Sequence, residues 1–419
     1  MAADCPTNMI DPSSSGSHLQ NYCIALQPIC DADLKHVADE LLYRDSANAS
    51  SANLTEAQAV EATTRVCNIA FYEIGARQLV GDRKLFVNAP REWLLQPELL
   101  PPEPDRVVIE VLETVVGDEQ VLASLHQIRD MGFQIALDDF VLTEATRPLL
   151  DVAHIIKVDA LEPLDPAAVD LYRSRGLRLL AEKVEDMESF ERFKSMGFSL
   201  FQGYFYARAQ VRDQGAGHRS NNHAALVHLL VELQRGEPKI RDIERVIAQD
   251  ASLTFLLLRY ANSAMFHYKG AIKTLFQALQ LLGLKRAGSL ALTMLLANHG
   301  PACMLMLSRA LTRAVMCERL ADAKGLDGDV AFFVGILSMM GEMLGQSLPE
   351  LLQELKLSKE IELAVMERQG ELGQLLEAVE TFEAARMAGW PPERVERFNR
   401  TWFQSQVWST QILSMIGQA

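Results

Sequence analysis

The chain has 419 residues, with 40 Lys and Arg against 55 Asp and Glu, for a formal net charge of −15. That length calls for two or three domains at roughly 150 residues each, and the acidic balance argues against direct DNA binding, which needs a basic footprint to meet phosphates. Hydrophobic residues at 49% and charged residues at 23% exclude a disordered chain, and leave room for a small anionic ligand held through metal ions in an acidic pocket.

The opening stretch, Met1 to His18, is polar and has no basic segment followed by an apolar core, so no secretory signal is expected. No apolar run reaches the 18 or so residues of a membrane span. The six cysteines form no CxxC pair and match no zinc spacing, which fits reduced thiols and a cytoplasmic location. Residues 1–20, centred on Ser13-Ser14-Ser15-Gly16-Ser17, are expected to be a disordered tail.

Residues 21–211 alternate short β-type runs with helical stretches. The eight candidate strands are Tyr22–Ile29, Lys35–Arg44, Leu85–Ala89, Val107–Leu112, Gln134–Phe140, Ile155–Ala160, Arg178–Val184 and Ser199–Tyr206. A short turn at Asp31-Ala32-Asp33 makes the first two a hairpin. The later strands are far enough apart for crossover helices, such as Asp118–Met131, where Val121, Leu122, Leu125 and Ile128 share a face. Repeated strand–helix units imply a parallel sheet, and eight strands imply closure, so the expected fold is an α/β TIM-type barrel with one reversed strand.

Residues 212–223 have almost no apolar content and read as a linker. Residues 224–419 show no convincing strand and no fixed-period repeat. Leu275, Ala278, Leu279 and Leu282 follow helical spacing and stop at Gly283, and Leu253 to Tyr260 and Ala287 to Leu296 look similar, so an all-α domain is expected.

Polar residues recur at the strand ends. Glu40 and Arg44 lie on the second strand, Asn88 ends the third, Glu110 and Glu113 the fourth, Asp138 and Asp139 the fifth. Lys157 and Asp159 end the sixth, Glu182 and Glu185 the seventh, and Gln202 lies on the eighth. In a barrel these ends converge on one mouth, where active sites are built. Several carboxylates sharing a pocket repel one another. Hard divalent cations relieve that, and oxygen donors without His or Cys favour Mg²⁺ or Mn²⁺. The adjacent Asp138 and Asp139 suit a two-metal site of the kind that serves in-line displacement at a phosphodiester. Lys157 would orient water or stabilise phosphate charge, with Glu182 as its partner.

These segments resemble the EAL family, the cyclic di-GMP phosphodiesterase domains. The family strings QPI, ExLxR, VN, ExxE, DDFG, KxD, EGVE and QGY appear in order as Gln27-Pro28-Ile29, Glu40-Leu41-Leu42-Tyr43-Arg44, Val87-Asn88, Glu110-Val111-Leu112-Glu113, Asp138-Asp139-Phe140-Val141, Lys157-Val158-Asp159, Glu182-Lys183-Val184-Glu185 and Gln202-Gly203-Tyr204. The resemblance implies that Glu40, Asn88, Glu110 and Asp138 hold one metal and Asp138 with Asp139 the second, Gln202 completing the shell. It implies that Lys157 contacts the nucleophilic water and Glu182 positions Lys157. Gln27, Leu42 and Arg44 would face the dinucleotide, and Glu113 would steady the loop after the fifth strand. The implied reaction is hydrolysis of cyclic di-GMP to linear pGpG, and family practice implies a homodimer.

Three departures bear on catalysis. Val141 stands where the family has Gly in the loop that presents the second metal site, and cannot take the φ > 0 conformations Gly allows, so that loop must run differently. Lys183 replaces the Gly of EGVE, and Ala209 replaces a frequent Pro.

The second half resembles the HDOD family, a catalytically silent relative of HD-type phosphohydrolases, through Asp250, Leu253, Leu257-Leu258-Arg259, Ala261-Asn262-Ser263, Phe266, Ile272 and Leu282-Gly283. Ser338-Met339 stands where a catalytic relative would have His-Asp, and none of the nine histidines is followed by Asp. An adjacent His–Asp metal site is therefore excluded. The expected function is metal-dependent cyclic di-GMP hydrolysis, with the helical domain as regulatory or output module acting on an unidentified protein partner. A non-hydrolysing cyclic di-GMP receptor and a protein scaffold stay open as alternatives.

Overall fold

The computed structural model describes residues 22–45, 67–206, 229, 239–248, 251–262, 272–297, 301–355 and 357–417. The expected tail at 1–20 and linker at 212–223 lie outside them. Eight strands close a barrel in chain order: β1 (Tyr22–Asp31), β2 (His36–Asp45), β3 (Lys84–Ala89), β4 (Val107–Val111), β5 (Gln134–Leu137), β6 (Ile155–Asp159), β7 (Arg178–Val184) and β8 (Leu200–Gly203). β1 is the reversed strand, antiparallel to both β2 and β8, and the other neighbours are parallel. The β1–β2 turn is held by Asp31 Oδ1, which accepts the amides of Asp33 and Lys35 at 2.9 Å each.

The fourth and sixth strands end one residue earlier than their sequence pattern, and two others are shorter by several residues. β5 stops at Leu137, because Asp138 and Asp139 turn out of the ladder and Asp139 takes a φ of 41°. β8 stops at Gly203, whose φ of 146° breaks the strand before Phe205 and Tyr206, which begin a helical turn.

Crossover helices cover the parallel strands. α1 (Ala76–Val80) and α2 (Arg91–Leu94) flank β3. α3 (Glu119–Asp130), α4 (Pro166–Ser174) and α5 (Met187–Ser195) start at Asp118, Asp165 and Asp186, each accepting a first-turn amide. α3 buries Val121, Leu125 and Ile128, as the spacing predicts.

Inside the barrel, one side chain per strand forms an apolar layer: Ile29, Ala38, Phe86, Val108, Ala136, Ile155, Leu180 and Leu200. Side chains alternate across a strand, so the residue two positions on faces the same interior. Those residues are Gln27 on the reversed strand, then Glu40, Asn88, Glu110, Asp138, Lys157, Glu182 and Gln202. An apolar plug thus supports a fully polar layer at the mouth.

All ten elements of the described second half are helices, from α6 (Ile240–Ala248), α7 (Ala251–Ala261), α8 (Leu275–Leu282) and α9 (Leu284–Ala297) through α10 (Pro301–Asp322) and α11 (Gly328–Leu344). α12 (Leu348–Leu355), α13 (Lys359–Glu367), α14 (Gly370–Glu383) and α15 (Pro392–Gly417) complete it. α8 carries a capping box at Thr274 and ends at Gly283 with φ 80°. α10 and α11 pack closely through Gly335, where a Cβ would lie 2.7 Å from Ala314 Cα. No described helix is long and apolar enough to cross a membrane.

A hairpin has no crossover helix of its own, so the outer face of β1–β2 needs another cover. The helical half supplies it. Asn399 Oδ1 on α15 accepts the Ile24 amide at 3.2 Å, and Thr410 Oγ1 donates to the Leu79 carbonyl at 2.8 Å.

Candidate active site at the barrel mouth

Lys157 is the centre of the polar layer. Its fully buried ammonium lies 2.6 Å from Glu110 Oε1, 2.6 Å from Asp138 Oδ1, 2.9 Å from Glu182 Oε1 and 3.5 Å from Glu40 Oε2. Gln202 Nε2 donates to Glu40 Oε2 at 2.6 Å, joining the eighth strand to the second. Burial alone would depress the Lys157 pKa, but the charges of Glu110, Glu40, Glu182 and Asp138 outweigh it and hold it well above the ordinary lysine value. Burial, reinforced by the Glu40 charge, raises Glu110 well above the usual carboxylate range. Burial also pushes Glu182 up to about 8, although Lys157 pulls the other way. One ammonium therefore leaves four surrounding carboxylates under-neutralised.

The remaining acceptor atoms point to cations. Asn88 Oδ1, Glu110 Oε2, Gln202 Oε1 and Asp139 Oδ1 are buried without a hydrogen-bond donor. Buried oxygens lacking donors are costly unless a cation faces them, and this donor set is entirely oxygen, which suits Mg²⁺ or Mn²⁺. Among the described residues no three Asp, Glu, His or Cys side chains already close on a common ion position. The carboxylates are instead spaced around the Lys157 ammonium.

The loop after β5 is anchored by the Asp138 amide on the Val111 carbonyl at 2.9 Å and the Phe140 amide on the Lys157 carbonyl at 3.2 Å. Val141 stays out of the left-handed region, which Asp139 enters instead. Reciprocal bonds between Thr143 and Thr146, with Thr146 Oγ1 on the Val141 carbonyl at 2.7 Å, hold the loop without a glycine. Glu113 is exposed and lines the hollow beside this loop, but makes no hydrogen bond or ion pair to it among the described residues.

Gln27 lies in register with Glu40 on the interior face. With Leu42 it also borders a cavity between the hairpin and the helical half, lined further by Arg309, Met339 and Trp402. Arg44 pairs with Cys23 in the β1–β2 ladder, and its side chain lies outside the described residues.

The sequence pattern missed two ionic features. The first joins Lys183 to Asp159 and Asp139 on the rim, at 2.6 and 3.5 Å. The second fills the helical half where a His–Asp pair would stand. Arg313 donates to Ser338 Oγ at 2.9 Å and pairs with Glu383 at 2.6 Å and Glu380 at 3.3 Å, while Arg368 and Arg309 pair with Glu380 and Glu383. The i, i+4 spacing of Arg309 and Arg313 and the i, i+3 spacing of Glu380 and Glu383 were the available signal. Burial also pushes the thiols of Cys30, Cys303 and Cys317 up to about 12, so none is poised as a nucleophile.

The HDOD domain family matches residues 223–388. The chain is 30% identical to the cyclic di-GMP phosphodiesterase CdgJ of Vibrio cholerae serotype O1 over 378 residues, 87% of this chain and 86% of that protein. It is 29% identical to the uncharacterized protein YuxH of Bacillus subtilis strain 168, covering 86% of this chain and 90% of that one. A crystal structure of an EAL domain protein from Listeria monocytogenes EGD-e matches at 24% identity and a TM-score of 0.36, over 45% of this chain and 87% of that one. With an eight-stranded barrel bearing one reversed strand, an HDOD match in the helical half and a relative aligned across both, the chain belongs to the EAL–HDOD family.

Proposed function

We propose that this chain is a cyclic di-GMP phosphodiesterase that opens the cyclic dinucleotide to linear pGpG at the barrel mouth. The observation that carries the reading is the polar layer itself: a buried ammonium among four carboxylates, ringed by acceptor oxygens without donors. The relative named as a cyclic di-GMP phosphodiesterase aligns over both halves, which weighs against the non-hydrolysing receptor alternative.

Glu40, Asn88, Glu110 and Asp138 would hold one Mg²⁺ or Mn²⁺, Asp138 and Asp139 a second, and Gln202 would complete the shell. When bound, the ions supply Lewis acidity, acidifying water and screening phosphate charge. Lys157 keeps its proton, because four carboxylates surround it, and serves as a fixed N–H donor toward attacking water or a phosphoryl oxygen. Glu182 holds Lys157 in place at 2.9 Å. Gln27, Leu42 and Arg44, all on the hairpin, would bind the dinucleotide, Arg44 through a phosphate.

The helical half regulates the barrel through that hairpin. Its helices cover the outer face of β1–β2, whose inner face carries Gln27 and Glu40, so a shift of α15 against β1 reaches the site directly. A homodimer and a protein partner on the HDOD domain belong to the same proposal.

The test is product formation from cyclic di-GMP by purified protein with Mg²⁺ or Mn²⁺, beside a folded Glu40→Ala control. Linear pGpG from the wild type alone, abolished by chelator, is expected. A folded wild type that forms no product at any metal concentration would refute the reading.

A further inference from the structure

Lys183 sits in a β-bulge. Ala181 pairs with Phe201 and Val184 with Gly203, so three steps on β7 face two on β8. The extra residue has a φ of 52°, in the left-handed region that a lysine adopts only with strain. The bulge closes on Gly203, where a Cβ would lie 2.1 Å from the Val184 carbonyl oxygen. Its effect is to turn the Lys183 side chain over the mouth instead of away from it.

There the Lys183 ammonium donates to Asp159 Oδ2 at 2.6 Å and stands 3.5 Å from Asp139 Oδ2. Asp159 is fixed from its other oxygen, which accepts the Leu161 amide at 2.8 Å. Asp139 is fixed by its own backbone at φ 41°, and its Oδ1 is buried without a donor. Among the described residues the mouth therefore contains two internal cations at different depths. Lys157 pairs with the inner carboxylates, and Lys183 with the outer pair.

We infer that Lys183 is a built-in competitor for the second cation, a residue that sets the metal requirement of the site. This rests on the metal-dependent reading above, in which Asp139 is the carboxylate that belongs to the second ion alone. A divalent ion binds Asp139 only as the ammonium withdraws. The side chain is half exposed on a flexible stem, so the competition is finite, roughly tenfold in affinity. Among the described residues Lys183 makes no ion pair with Glu40, Glu110 or Asp138, so an inner ion would be expected to bind independently of it.

The experiment is a Mn²⁺ titration of the full chain without substrate, followed by calorimetry and by the Mn²⁺ electron paramagnetic resonance signal. Lys183→Asn removes the charge but tolerates the left-handed backbone, Lys183→Gly removes charge and strain, and Lys183→Arg keeps the charge. Two classes of site are expected in the wild type. The weaker should tighten roughly tenfold in both neutral variants, stay within about twofold in Lys183→Arg, and leave the stronger class unchanged. A weaker class unmoved in both neutral variants overturns the inference while leaving the metal site standing. Tightening in Lys183→Gly alone assigns the effect to backbone strain and also overturns it. If none of the folded proteins binds Mn²⁺, the metal-dependent reading fails and the inference fails with it.

Discussion

Replacing Lys157 with methionine keeps most of the side chain's length, ending one atom short of the ammonium, and removes the cation from a cluster of four carboxylates. Three of its contacts are at 2.6, 2.6 and 2.9 Å and the ammonium is fully buried. At an effective dielectric of about 20, each is an attraction of roughly 6 kcal/mol when its carboxylate is ionised, set against a desolvation penalty of several kcal/mol per ion and the mutual repulsion of the carboxylates. Loss of one member of such a cluster costs about 3–5 kcal/mol, or about 6–20 °C in Tm for a domain of this size. The cost should depend on pH with a definite sign. Glu110 and Glu182 already have raised pKa values, Glu182 about 8, and lose their counter-ion in the variant. A carboxyl raised above its unfolded value stabilises the fold fully below that unfolded value and ceases to as pH rises through the folded one. The deficit of Lys157→Met in chelator should therefore be small near pH 5 and full near pH 8, measured by urea unfolding at each pH. Hydrolysis should fall at least about 100-fold with any metal. A metal-free variant within about 1 kcal/mol of wild type at pH 8 would refute the claim that the ammonium stabilises this layer.

Gly203→Ala places a Cβ 2.1 Å from the Val184 carbonyl oxygen at a φ of 146°, so the β7–β8 join must shift. We expect a loss of about 2–4 kcal/mol by denaturant unfolding, and weaker metal binding because Gln202 moves with it. Asp39 faces outward from β2, paired with Arg83 at 2.8 Å and His36 at 2.8 Å. Burial opposes its ionisation, but Arg83 and His36 win and hold its pKa at about 2, below the ordinary 3.8. That depression contributes about 2 kcal/mol above pH 4 or so, lost as pH falls toward 2. Asp39→Asn should therefore flatten stability over this range, and an unchanged acid limb in the unfolding profile would count against the pairing.

Strand alternation made the candidate site legible from the chain alone. Ala38 to Glu40, Phe86 to Asn88, Val108 to Glu110, Ile155 to Lys157 and Leu180 to Glu182 are each a step of two, and a step of two keeps a side chain on the same face. Crossover helices and their Asp caps were equally local, since α3 needs only its own spacing and Asp118. The strand ends were less so. Asp139 and Gly203 terminate β5 and β8 through backbone angles that alternation does not encode.

The chain itself carried the inventory: carboxylates, carboxamides and a lysine recurring at the strand ends. The tertiary structure decided how their charges are shared. Closure of the barrel brings Lys157 among Glu40, Glu110, Asp138 and Glu182, and a bulge turns Lys183 onto Asp139 and Asp159. It also decided that the helical half covers the hairpin, through a bond from Ile24 to Asn399 across 375 positions. Periodicity is carried by neighbours along the chain, whereas charge pairing and docking depend on distances that exist only once the chain has closed on itself.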